Sequence, residues 1–170
     1  MVPITVQTLI MSSAPSPSII VLKPTEDLHQ EGKSRIVPIW IGAAEATQVG
    51  AALERTKFLR PMTHDLFLDA LTNLDASIDH VLISNVKGST FFARLALRQG
   101  ARLIDLDARP SDAIALAVRQ GAPLYIDEGV LERASFPCIV KEPFDDPSSK
   151  QELEEFHRFL EHVSPEDFDD

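Results

Sequence analysis

The chain has 170 residues, 44% of them apolar, one cysteine and a formal net charge of −10. That length suits one ordinary domain with a terminal appendage. No apolar run is long enough to cross a bilayer, and Cys138 alone makes neither an internal disulfide nor a thiolate metal site. The charge is uneven: residues 1–140 hold 13 Lys and Arg against 15 Asp and Glu, and residues 141–170 hold 3 against 11. The overall acidity argues mildly against a polyanionic partner, whereas a nearly neutral body with local arginines does not exclude one.

Residues 2–10 alternate apolar and polar, which predicts a strand with Ile4, Val6, Thr8 and Ile10 on one face, not a secretory signal. With the lone thiol, this points to a reducing, cytoplasmic setting. A Ser/Pro-rich bend leads to a second strand over 18–23, a polar loop over 24–33 and a third strand over 36–41. Pro38 predicts an edge position or a bulge there. Ala46, Val49, Gly50 and Leu53 at helical spacing predict a helix over 43–55, with close packing at Gly50. Phe67, Ala70, Leu71 and Leu74 predict another, capped by Thr63.

Residues 77–86 and 90–98 read as a hairpin around Lys87-Gly88-Ser89, with Phe91, Ala93, Leu95 and Leu97 inward and Arg94 and Arg98 outward. A strand over 102–107, a helix from Pro110, a strand over 123–126, and a helical turn and strand near 138–141 follow. From Ser148 the pattern predicts an appended helix with a Ser149/Glu152 capping box. The expected division is therefore a domain over 1–143 and an acidic helix and tail over 144–170. A shift of 67 residues places Ile39 on Leu106, Glu45 on Asp112 and Val49 on Leu116, which suggests two similar β-rich units, each closed by a helix.

Charge concentrates where the strand over 102–107 meets the following helix. Ile104 and Leu106 are expected to face the core, leaving Asp105 and Asp107 outward, with Arg109, Ser111 and Asp112 at the helix start. Residues 60–65, RPMTHD, are expected to complete the site. In this reading His64, Asp65, Asp107 and Asp112 are the catalytic candidates, and Arg60, Arg109 and Ser111 bind substrate. Glu45, Asp107 and Asp112 are candidate oxygen ligands for Mg²⁺ or Mn²⁺. Arginines bind phosphate oxygens in bidentate fashion, and a histidine exchanges protons near neutral pH. A structural alternative has Ser111 and Asp112 capping the helix while Arg109 pairs with Asp107. No nucleophile elbow, phosphate loop or zinc helix motif is present, and His29, His80, His157 and His162 have no ligand spacing.

The segments PIWIGAAEA (38–46), RPMTHDL (60–66), TFFARL (90–95) and LDARPSDAIALAVR (106–119) resemble the bifunctional nuclease family in order and spacing. The resemblance covers about residues 1–140. It implies an α+β fold with mixed β-sheets and packed helices, built from a duplicated unit, a homodimer, and degradation of both DNA and RNA with little sequence preference.

Two functions fit the residues: a metal-assisted phosphodiesterase acting on DNA and RNA, and a non-enzymatic regulatory domain holding an anion or small ligand. A third reading has the acidic tail mimic a polyanion and guard the site.

Overall fold

The structure, a computed structural model, describes residues 1–13, 16–25 and 34–138. Among them the elements run β1 Val2–Ile10, β2 Ser18–Pro24, β3 Ser34–Ile41, α1 Ala43–Leu53, α2 Thr63–Asn73, β4 Ala76–Lys87, β5 Thr90–Gln99, β6 Arg102–Ala108, α3 Pro110–Gln120, β7 Leu124–Ile126, α4 Glu128–Ala134 and β8 Phe136–Cys138. The fold class is α+β. All the strands join one sheet in the order β6-β5-β4-β7-β1-β2-β3-β8.

The duplication suggested by the sequence is present in the architecture. β1-β2-β3 and β4-β5-β6 are both antiparallel meanders, and each is followed by a helix. α1 and α3 both span 11 residues, and their first and last residues, Ala43 to Pro110 and Leu53 to Gln120, are each offset by 67. β7 joins the units, parallel to β4 and antiparallel to β1.

Apolar residues of both meanders and of α1 and α3 form one core. Ile20, Leu22, Val49, Ile83, Ile114 and Ile126 are fully buried in it, and each contributes about 1.5–3 kcal/mol by leaving water. α3 carries five consecutive buried residues, Ala113 to Ala117. Its alanines permit close approach of α1 and the sheet on different sides. Pro110 opens this helix and Gly121, at φ 77°, closes it in the left-handed conformation that glycine adopts without strain.

Several local expectations change. A bulge at Gln7 breaks the alternation of β1: Ile4, Val6 and Leu9 pack on the main core, Ile10 on a second cluster with Ile19, Val21 and Ile36, and Thr8 is exposed. Leu106 is not a core residue. β6 is an edge strand, and Leu106 stands 37% exposed although Ile104 on the same face packs inward. Pro38 is fully buried on a strand with neighbours on both sides, but β8 covers only Ser34–Ile36, so the proline occupies the uncovered part of that edge. In α2 the buried face is Phe67, Leu68 and Leu71, while Ala70 and Leu74 are exposed. Thr63 is the first helical residue, not the cap; the Asp65 carboxylate accepts the Met62 N–H at 2.9 Å instead. Gly50 sits where an added Cβ would meet Leu9 at 3.4 Å, ordinary contact distance. β8 ends the described chain at Cys138, so the rest of the strand expected near 138–141, the appended helix and the 144–170 division lie outside the described residues.

Candidate functional site

The two duplicated helices bring their N-termini to one arginine. Glu45 and Asp112 occupy the third position of α1 and α3. Arg109, the residue just before α3, donates to both: Nε to Asp112 Oδ2 at 2.8 Å, a second nitrogen to Asp112 Oδ1 at 3.3 Å, and the third to Glu45 Oε1 at 2.6 Å. Helix starts favour carboxylates, because the first turn leaves N–H groups unpaired and carries the positive end of the dipole. Glu45 is held below the usual carboxylate range, first by its own helix-start N–H and then by Arg109. Asp112 and then Glu45 keep Arg109 firmly protonated. Gly42 makes room for this arrangement: a Cβ there would lie 2.5 Å from Glu45 Oε2.

His64, in the first turn of α2, joins the cluster from a third segment. Its Nε2 stands 3.4 Å from Asp112 Oδ1, and its side chain is only 13% exposed. Among the described residues its buried Nδ1 has no hydrogen-bond partner. Ala44, Glu45, Gln48, His64, Arg109 and Asp112 line a small cavity of about 120 Å³ together with Ser111, which is 94% buried by its own relative exposure of 6%.

Beneath this cavity lies an anchor that sequence reasoning missed. Arg119, 9% exposed, donates to Asp65 Oδ1 at 3.1 Å, to the Gln48 carbonyl at 2.9 Å and to Gln48 Oε1 at 3.1 Å. It therefore ties α1, α2 and α3 together and fixes Gln48 at the cavity wall. A charged residue in the last turn of a helix ordinarily reads as a favourable dipole partner, so nothing in the pattern marked it.

The expected residues separate into three groups. Glu45, His64, Arg109, Ser111 and Asp112 meet at the cavity. Asp65 is occupied by Arg119 and the Met62 N–H, a positioning arrangement instead of an open catalytic one. Arg60 and Asp107 do not join. Arg60 is exposed in the α1–α2 connection and lines neither cavity described here. Asp107 pairs in register with Arg94, whose neighbours Ala93 and Leu95 face the core, so both point to the opposite side of the sheet from the helices. The alternative Arg109–Asp107 pair is likewise replaced by Arg109–Asp112. The metal set Glu45, Asp107 and Asp112 is thus not assembled, and among the described residues no group of three or more His, Cys, Asp or Glu is placed to hold a metal ion. The pleat of β6 separates Asp107 from its partners, and the Arg109 guanidinium fills the space between the other two.

Fold and site together define a duplicated βββα domain whose two helix starts converge on a polar cavity. The chain belongs to a known family of this kind: residues 28–138 match the bifunctional nuclease domain. Proteins from two strains of Mycobacterium tuberculosis, each named only as uncharacterized, are 35% identical to it over 150 residues, covering 86% of this chain and 88% of theirs. Among the described residues no helix is long and apolar enough to cross a membrane.

Proposed function

We propose that this protein is a nuclease that hydrolyses phosphodiester bonds of DNA and RNA with little sequence preference. One observation carries the reading: His64, Glu45, Arg109 and Asp112, from three distant segments, converge on one open cavity in a chain of the bifunctional nuclease family. Arg109 has five N–H donors and the two carboxylates engage three, leaving two for phosphate oxygens. Its side chain is 65% exposed, so a phosphate can reach it. His64 has one nitrogen toward the cavity, Nε2, and through it takes a proton from the attacking water or gives one to the leaving oxygen. The reading includes a homodimer, supported by the exposed apolar residues Leu53, Phe58, Leu59 and Met62 in and beside the α1–α2 connection. It also includes a cytoplasmic setting, supported by a single cysteine whose thiol burial pushes toward the protonated, unreactive form.

One feature favours a second reading, a non-enzymatic regulatory domain. Two carboxylates against one guanidinium leave the cluster net negative when His64 is neutral, which opposes a polyanion and suits a structural clasp between the two units.

Purified full-length protein incubated with single- and double-stranded DNA and RNA, in EDTA, Mg²⁺ or Mn²⁺, separates the two. We expect cleavage by wild type, and a loss of about 10²–10⁴-fold for His64→Ala, with Arg109→Ala and Asp112→Asn also strongly impaired and Asp107→Asn unchanged. Wild type that cleaves nothing under any condition favours the regulatory reading. Cleavage that survives in all three cavity variants removes the site.

A further inference from the structure

A second cavity, of about 300 Å³, opens on the other side of Arg109. Ile39 and Ile41 at the end of β3 form one part of its wall, Trp40 between them packs its side chain on the other face of the strand, and Phe91 and Pro110 form another part. The sheet therefore brings the end of the first meander near the start of β5 in the second. Its polar lining comes from Glu45, Arg109 and Ser111, which also line the smaller cavity, and from Ser89 and Thr90 at the hairpin tip. Arg109 is thus shared by a polar chamber containing His64 and a larger chamber with more apolar walls.

A nucleotide has the same division, with an apolar, flat base on one side of the sugar and an anionic phosphate on the other. We infer that the larger cavity receives one unpaired nucleobase of the substrate while its phosphate lies at Arg109. This deepens the nuclease reading and rests on it. Its volume, about 300 Å³, is at the lower limit for small-molecule pockets and admits one unstacked base. A duplex must first expose a base at its end or flip one out, at an unstacking cost, whereas a single strand presents its bases already free. The preferred substrate class is therefore single-stranded nucleic acid, and the ranking follows from the unstacking cost, independent of which base is present.

The test titrates full-length protein with a nucleoside 5′-monophosphate, ribose 5-phosphate and inorganic phosphate, following the heat of binding by calorimetry. Binding of a single-stranded oligonucleotide, the same strand with one abasic site in each successive position, and the duplex is then measured at one salt concentration. Saturable binding of the mononucleotide alone is expected, with binding of the abasic strands weakened about 5–100-fold at the best position and duplex weaker than single strand. Thr90→Phe, an exposed strand-compatible position that lines the cavity, should abolish mononucleotide binding while leaving the melting temperature unaltered.

Equal responses to ribose 5-phosphate or phosphate, no response to the mononucleotide, or indifference to abasic sites overturns the inference, even where the enzyme cleaves. Conversely, a protein that binds the mononucleotide with this signature but cleaves nothing retains the base pocket and loses the nuclease function.

Discussion

At the scale of single residues, the least comfortable atom near the site is His64 Nδ1, buried and without a partner among the described residues. If His64 were there for stability, an apolar replacement of similar size would cost stability; if it is there for chemistry, the replacement should leave stability unchanged or raise it, since an unpaired polar atom is removed. We expect His64→Leu to melt at or above the wild-type temperature while losing cleavage, checked by calorimetry beside the nuclease assay. Gly42 is a second diagnostic position. Its replacement by alanine pushes on Glu45 Oε2, the far end of a flexible side chain, so stability should change by no more than about 0.5 kcal/mol. The Glu45 carboxylate moves, Arg109 loses one of its two clamps, and cleavage or phosphate affinity changes instead. Glu45 also has a pH signature. Its folded pKa lies below the ordinary carboxylate value, so its stabilising contribution is present above that value and is lost as pH falls through the depressed one. The melting-temperature gap between wild type and Glu45→Gln should therefore be constant near neutrality and close only in acid, below the ordinary glutamate range.

At the scale of elements, Arg119 decides how the three helices sit. It is nearly buried, so removing its partner leaves a charge with poor solvation. Asp65→Ala should destabilise the protein by about 1–3 kcal/mol, read from urea unfolding, and should lower activity through displaced Gln48 and His64. Arg109 offers the contrast: it is largely exposed, and surface pairs contribute about 0–1 kcal/mol. Arg109→Ala should hardly shift the unfolding midpoint. A larger loss of stability for Arg109→Ala than for Asp65→Ala would reverse the roles assigned to them.

At the scale of the whole molecule, the connection between α1 and α2 presents apolar side chains to solvent. Leu59 is fully exposed and Phe58 stands 41% exposed, and Leu66 in the first turn of α2 adds to them at 61%. Exposure of this kind beside a functional cavity suits a contact between copies of the chain. Light scattering after size exclusion should give twice the monomer mass of 18.8 kDa for wild type. Leu59→Glu should shift it to monomer with no loss of secondary structure. A wild-type monomer at high concentration would end the homodimer reading.

Much of this protein is written locally. The inward face of β5, Pro110 at a helix start and Gly88 at a hairpin turn are all dictated by neighbouring residues, and each appears where the sequence places it. The 67-residue offset made the duplication legible as well, because two units of the same architecture keep their polar residues in register: Glu45 and Asp112 do share a place. What tertiary structure alone decided is which polar residues meet. The bulge at Gln7, the edge position of β6 and the side of the sheet that the helices cover, opposite to Asp107, depend on contacts far apart in sequence. So do the bonds of Arg109 to Glu45, 64 positions away, and of Arg119 to Asp65, 54 positions away. Local pattern gives each side chain a direction along its own element; only the packing of α1, α2 and α3 over the curved sheet turns those directions into one cavity.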